Sequence, residues 1–142
     1  MSCAKAGGCS AGGRYLDASF HMQAFVAGEV NGVWGTAQQV PGTAALNAGG
    51  FAEITSVSCA KAGGCSAGGS YRDASGHPQA FVAGEVNGVW GTAQQVPGTA
   101  ALNKGGLAQI SSVSCAKADD CSVGGSYADA SGHLQEFVVD ET

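Results

Sequence analysis

From Ile54 onward, apolar and small polar residues alternate in short runs, each closed by glycine, asparagine or proline. Residues 54–59, Ile-Thr-Ser-Val-Ser-Cys, form a β-prone run, and residues 60–64 predict a five-residue turn. Residues 65–71 are the expected second strand. A period of two places Val57 and Cys59 on one face of the first strand, and Cys65, Ala67, Gly69 and Tyr71 on one face of the second. Asp73-Ala74-Ser75-Gly76 is a turn signal. A third strand over 79–86 leads to Asn87-Gly88, the strongest short hairpin signal. The fourth strand covers 89–96, from Val89-Trp90 to Val96, and Pro97-Gly98 stops it. A looser loop, 99–106, returns the chain to the next first strand.

The same series recurs with a spacing of 56 residues. CAKAGGCSAGG stands at Cys3 and again at Cys59, and CAKADDCSVGG begins at Cys115. Such self-similarity marks an array in which no unit buries its core alone. The first two copies differ at scattered pairs such as Arg14/Ser70, Leu16/Arg72, Phe20/Gly76 and Met22/Pro78. The third drifts further, at Asp119, Asp120, Val123, Ala128, Leu134 and Glu136. Uneven drift fits natural duplication better than a designed repeat. The reading is one repeat domain over 1–142: unit one about 1–53, unit two about 54–109 and a partial unit three about 110–142. Met1-Ser2-Cys3 stands where later copies read Val57-Ser58-Cys59 and Val113-Ser114-Cys115, so the chain is expected to begin, and to end, inside a strand.

With 24 glycines and abundant Ala, Ser and Thr, the chain is a poor helix former. The regular Val, Phe, Trp and Tyr positions argue for a packed all-β structure rather than disorder. Charged residues make up 12% and the net charge is −5, with six Lys and Arg that form no cluster. That excludes an electrostatic footprint for nucleic acid and argues against an anionic membrane surface. No apolar run approaches the length of a membrane span, and the N-terminus has no signal-like segment; if the protein is exported, its signal is expected upstream of Met1 or already removed.

The six cysteines fall into three Cys-x5-Cys pairs: Cys3/Cys9, Cys59/Cys65 and Cys115/Cys121. In a hairpin with a five-residue loop, both sulfurs stand on one face within disulfide reach. The reading is one disulfide per unit, which favours an oxidising, extracellular or cell-surface setting. Zinc prefers closer cysteine spacing and nearby histidine; zinc and reduced, buried thiols are the other readings. The only basic residues near the pairs are Lys5, Lys61 and Lys117, each in a Gly/Ala turn, so a nucleophilic cysteine is not expected.

Asp17/His21, Asp73/His77 and Asp129/His133 recur as Asp-Ala-Ser-x-His. Such a pair can orient a base or ligate a metal, but an Asx-type turn explains it, and repetition in every unit argues for structure. Glu29, Glu85 and Glu141 are isolated from other carboxylates, so no acid/base pair is visible. The Gly-rich stretches lack the Lys-Ser/Thr or strand-to-helix setting of a phosphate loop. No catalytic residue, metal site or cofactor is expected, and the protein is read as non-enzymatic.

Trp34 and Trp90, with Tyr15, Tyr71 and Tyr127, put aromatic side chains at equivalent points of each unit. They are expected either to pack between units or to stack on sugar rings. In the second case Asn31, Asn87, Gln38/Gln39 and Gln94/Gln95 supply hydrogen bonds, and weak repeated sites gain by multivalency.

Four successive antiparallel strands describe a β-propeller blade. The units resemble kelch-like blades, where a Gly-Gly pair ends the second strand and a Trp opens the fourth. Here these are Gly68-Gly69 with Tyr71, and Trp90; in the first copy, Gly12-Gly13 with Tyr15, and Trp34. The units are also similar to secreted bacterial repeats that read Ser-Val-Ser-Cys-x5-Cys. Kelch repeats lack this cysteine pair and carry loop charges missing here, so the resemblance implies architecture only: all-β, four-stranded antiparallel β-propeller blades in tandem, two complete and one partial. A β-trefoil and a parallel β-solenoid are the rival folds. Propellers close with about four to eight blades. The ring is therefore expected to be completed by a longer chain or by oligomerisation, with a homodimer of six blades the simplest arithmetic. The expected function is an extracellular binding or self-assembling structural module, with a carbohydrate-binding lectin, one shallow site per blade, as the alternative; a glycan is then the partner.

Overall fold

The computed structural model describes residues 1–117 and 120–140. Repeat one supplies strands β1 (Ser2–Lys5), β2 (Gly8–Leu16), β3 (Met22–Val30), β4 (Val33–Trp34) and β5 (Gln38–Gln39), then a single helical turn α1 (Thr43–Leu46). Repeat two supplies β6 (Ala52–Lys61), β7 (Gly64–Arg72), β8 (Pro78–Val86), β9 (Val89–Trp90), β10 (Gln94–Gln95) and α2 (Thr99–Leu102). Repeat three supplies β11 (Ala108–Lys117), β12 (Asp120–Ala128) and β13 (Leu134–Asp140). All strand pairs are antiparallel, in three separate sheets of consecutive strands. The fold is all-β.

The expected fourth strand is present but broken. Glu85 pairs with Trp90, whereas Val82 pairs with Gln94, so four residues on one side span three on the other. That extra residue splits the strand into β9 and β10 and moves Trp90 and Gln95, an odd number of positions apart, onto the same face. At the hairpin tip, Asn31 and Asn87 take a left-handed φ of 51°, each followed by a positive-φ glycine, as this turn requires. The loop read as 99–106 contains α2, one turn long.

The first strand carries a second irregularity. Ile54 pairs with Gly69 and Ser56 with Gly68, leaving Thr55 as an unpaired bulge residue. The bulge lets Ile54 join Val57 and Cys59 on one face, which strict alternation from Val57 forbids. It also explains the Gly-Gly pair. A Cβ on Gly69 would run into the Glu53 carbonyl oxygen, and a Cβ on Gly68 would lie 2.8 Å from Cγ2 of Ile110 in the next sheet. One glycine admits the bulged neighbouring strand, the other the following sheet.

Successive sheets stack face to face through two apolar clusters. Ala24, Val26 and Val40 of the first sheet meet Ile54, Val57, Ala67, Tyr71, Phe81 and Trp90 of the second. Ala80 and Val96 of the second meet Ile110, Val113, Val123 and Phe137 of the third. Each sheet thus has a face of small residues turned to its successor and a bulky face turned to its predecessor. The first strands are also stitched across sheets. Ser2 Oγ accepts from the Cys59 N–H, and Ser58 Oγ from the Cys115 N–H, both at 3.0 Å. The Thr55 hydroxyl donates to the Ile110 carbonyl at 2.7 Å. Side chains satisfy strand-edge groups that the ladder leaves unpaired.

Candidate functional site

The cysteines form three disulfides, Cys3–Cys9, Cys59–Cys65 and Cys115–Cys121, and none is free. Each pair is directly opposed in its hairpin register. Such bonds suit an oxidising compartment. Among the described residues no group of His, Cys, Asp or Glu gathers into a metal site, and no helix is long and apolar enough to cross a membrane.

The Asp-Ala-Ser-x-His segment is a turn built around its aspartate. Asp73 Oδ1 accepts from the Ser75 and His77 backbone N–H groups at 2.9 and 3.0 Å, and Oδ2 accepts from the Gln79 amide at 2.8 Å. Asp17 and Asp129 repeat the arrangement. Hydrogen bonds from Gln23 and the His21 and Ser19 backbone hold the Asp17 carboxyl below its usual range. Burial pushes Asp73 up, but the bonds from Gln79, His77 and Ser75 outweigh it and the net direction is down. Asp129 is held low as Asp17 is, by Gln135 first. His133 Nδ1 stands 3.9 Å from Asp129 Oδ2 on an exposed turn.

Two of the glutamines considered as ligand donors are tied into the same network. Gln39 donates to Gln23 at 3.0 Å, and Gln95 to Gln79 at 3.1 Å. Asn47 and Asn103 join it and cap the loop behind them through the Phe51 and Leu107 N–H groups. Asn31 and Asn87 serve the hairpin tips, where the following glycines donate to the Gly7 and Gly63 carbonyls.

The aromatic positions divide by sheet. Tyr71 and Trp90 are each 5% exposed, packed with Phe81 against the first sheet. The Trp90 Nε1–H has no acceptor among the described residues, so apolar packing alone holds the ring. Their counterparts Tyr15 and Trp34 are 40% and 45% exposed, on a face that no other sheet covers among the described residues. Beside Tyr15, a shallow pocket is lined by Phe25, Ala37, Gln38 and Gln39. Tyr127 is half-buried against Phe137. The structure therefore gathers Tyr15 and Trp34 on one open surface and seals Tyr71 and Trp90 inside another.

Glu85 is buried at the boundary between the first two sheets, while Glu29 is half-buried at the equivalent place on the open face. Glu141 lies outside the described residues. Burial pushes the Glu85 carboxyl up, and a hydrogen bond from Ser10 opposes the rise. Sequence reading overlooked Ser10, Ser2 and Ser58 as contacts between sheets. Their only signal was the recurrence of serine beside each cysteine.

No family model matches the chain, and no curated protein matches its sequence.

Proposed function

We propose that each repeat is a β-propeller blade and that the chain is a non-enzymatic, extracellular module that assembles head to tail with copies of itself. One observation carries the reading. The bulky face bearing Tyr15, Phe25 and Trp34 is open, while the same face one repeat later, with Tyr71, Phe81 and Trp90, is sealed by a neighbouring small-residue face. The matching small-residue face is open at the other end, where Val138 is 73% exposed although its counterpart Val26 is fully buried. Complementary open faces at opposite ends define a heterologous interface, which closes into a ring when the rotation permits. Two chains of three sheets each give six blades, within the range of closed propellers. Three disulfides support the extracellular placement.

Sedimentation of the whole chain from roughly 1 to 200 μM tests this, because assembly makes the species concentration-dependent. A dimer is expected, and Trp34→Glu should shift it toward monomer. A monomer at every concentration would remove the reading.

A second reading, a carbohydrate-binding surface, is favoured by the exposed rings of Tyr15 and Trp34 near Gln39, which pairs with Phe25 on the open face. It requires a single site on the first sheet rather than one per blade, since Tyr71 and Trp90 present no ring to solvent. A glycan array probed with wild type and Trp34→Ala separates it from assembly.

A further inference from the structure

Between the second and third sheets lies a cavity of about 220 Å³. It is bordered by Val82, Gly84 and Val96 on one side and by Cys121, Val123 and Val139 on the other. One repeat earlier the corresponding residues are Val26, Gly28 and Val40, facing Cys65, Ala67 and Ala83. There the space is closed: Val26, Val40 and Ala67 are essentially inaccessible, and Trp90 and Ala93 belong to the same cluster. The segment that closes it is the broken fourth strand. Trp90 packs between the sheets, and the Ala93 N–H donates to the Pro41 carbonyl of the preceding sheet at 2.7 Å.

Among the described residues the second interface lacks that strand, and Val123 and Val139 stand where the first has Ala67 and Ala83. Pro97, the counterpart of Pro41, borders the cavity. On β8, Val82 and Phe81 pair with Gln94 and Gln95. On β13, the corresponding Val138 and Phe137 have no strand on their outer side among the described residues. Val82 is left half-buried where Val26 is fully buried, the effect expected of an unfilled cleft.

We propose that this cleft and the outer edge of β13 together form an acceptor site for an extended polypeptide segment of the Val-Trp-Gly-Thr-Ala-Gln-Gln type. Its indole enters the cavity between the sheets, its alanine N–H meets the Pro97 carbonyl, and its two glutamines pair with Val138 and Phe137. This is recognition by strand addition, with backbone bonds giving affinity and one side-chain pocket giving selectivity. The inference rests on the stacking of blades proposed above, but it concerns a cleft inside one chain rather than the open end faces.

The probe is a synthetic peptide with the sequence of residues 87–97, titrated calorimetrically into the whole chain, with backbone hydrogen exchange followed in parallel. Saturable binding is expected, with new protection in β13. Replacing the peptide's Trp by Ala should weaken binding about 30-fold or more, as for a buried aromatic anchor. Val123→Trp, which fills the cavity from the protein side, should abolish it. Absence of binding at about 1 mM peptide, equal binding of the Trp→Ala peptide, or protection confined to β1–β3 would each overturn the proposal. Sedimentation of the same samples without peptide reports on head-to-tail assembly separately, so either idea can fail while the other stands.

Discussion

The hydroxyl of Ser10 donates to Oε2 of Glu85 at 3.3 Å, joining the small-residue face of the first sheet to the bulky face of the second. It places a carboxyl inside that boundary, with the Ser10 hydroxyl as its side-chain partner among the described residues. Desolvation of the charged form is the larger effect, so the folded-state value lies above the ordinary 4.5. An acid raised on folding binds its proton more tightly in the folded chain. Its stabilising contribution is present below 4.5 and is lost as pH rises through the folded value.

Glu85→Gln therefore removes a pH dependence of definite sign. Urea midpoints of wild type should fall relative to the variant as pH rises from about 4 to about 8. The variant should be the more stable at the upper end. A wild-type advantage that grows with pH would contradict the burial argument.

Gly12 and Gly124 hold equivalent positions with different neighbours. A Cβ on Gly12 would lie 2.6 Å from Ile54 Cγ2 and 3.1 Å from Val57 Cγ2. Both are branched side chains buried in the interface, so Gly12→Ala should destabilise by about 1–3 kcal/mol through overpacking. At Gly124 the nearest atom is 4.0 Å away, and Gly124→Ala should stay within about 0.5 kcal/mol of wild type. Equal losses by denaturant titration of dilute monomer would count against face-to-face stacking as the cause.

Cys59–Cys65 closes a loop of separation six. In the chain-entropy description a loop this small contributes only about 2 kcal/mol. The double change Cys59→Ala/Cys65→Ala should lower unfolding free energy by about that amount, and a reducing agent should lower the wild-type melting temperature. Identical melting with and without reductant would show that the bonds are absent in solution or contribute nothing.

Phe20 adopts φ 62° at the turn position where the later repeats place Gly76 and Gly132, both at 79°. Its ring is 82% exposed, so no packing offsets the strain of a left-handed residue. Phe20→Gly should stabilise by up to about 1 kcal/mol, the relief of strain being partly offset by the freer unfolded chain. Thermal unfolding of the two proteins reads this directly, and a loss of stability would mean the ring makes contacts in solution.

Much of this architecture was legible because it is local. Cysteines six positions apart across a tight turn, the Asn-Gly tips and the Asp-Ser turns each fix backbone geometry within a few residues, and the structure has all three. The bulge at Thr55 and the break after Trp90 were not legible, since an inserted residue leaves the composition of a strand unchanged while reversing which side chains face the neighbour. The serine contacts between sheets escaped notice for a related reason: the partners lie 57 residues apart and share no local pattern.

Trp34 and Trp90 mark the boundary between the two kinds of information. Both occur in Glu-Val-Asn-Gly-Val-Trp-Gly-Thr-Ala-Gln-Gln-Val, and both close the same two-residue strand after the same hairpin. Sequence alone determined the repeat, the hairpins and the pairing of cysteines, because these depend on residues adjacent along the chain. Tertiary structure decided that one indole is sealed and the other open, because burial depends on which sheet lies opposite, and identical segments can have different neighbours.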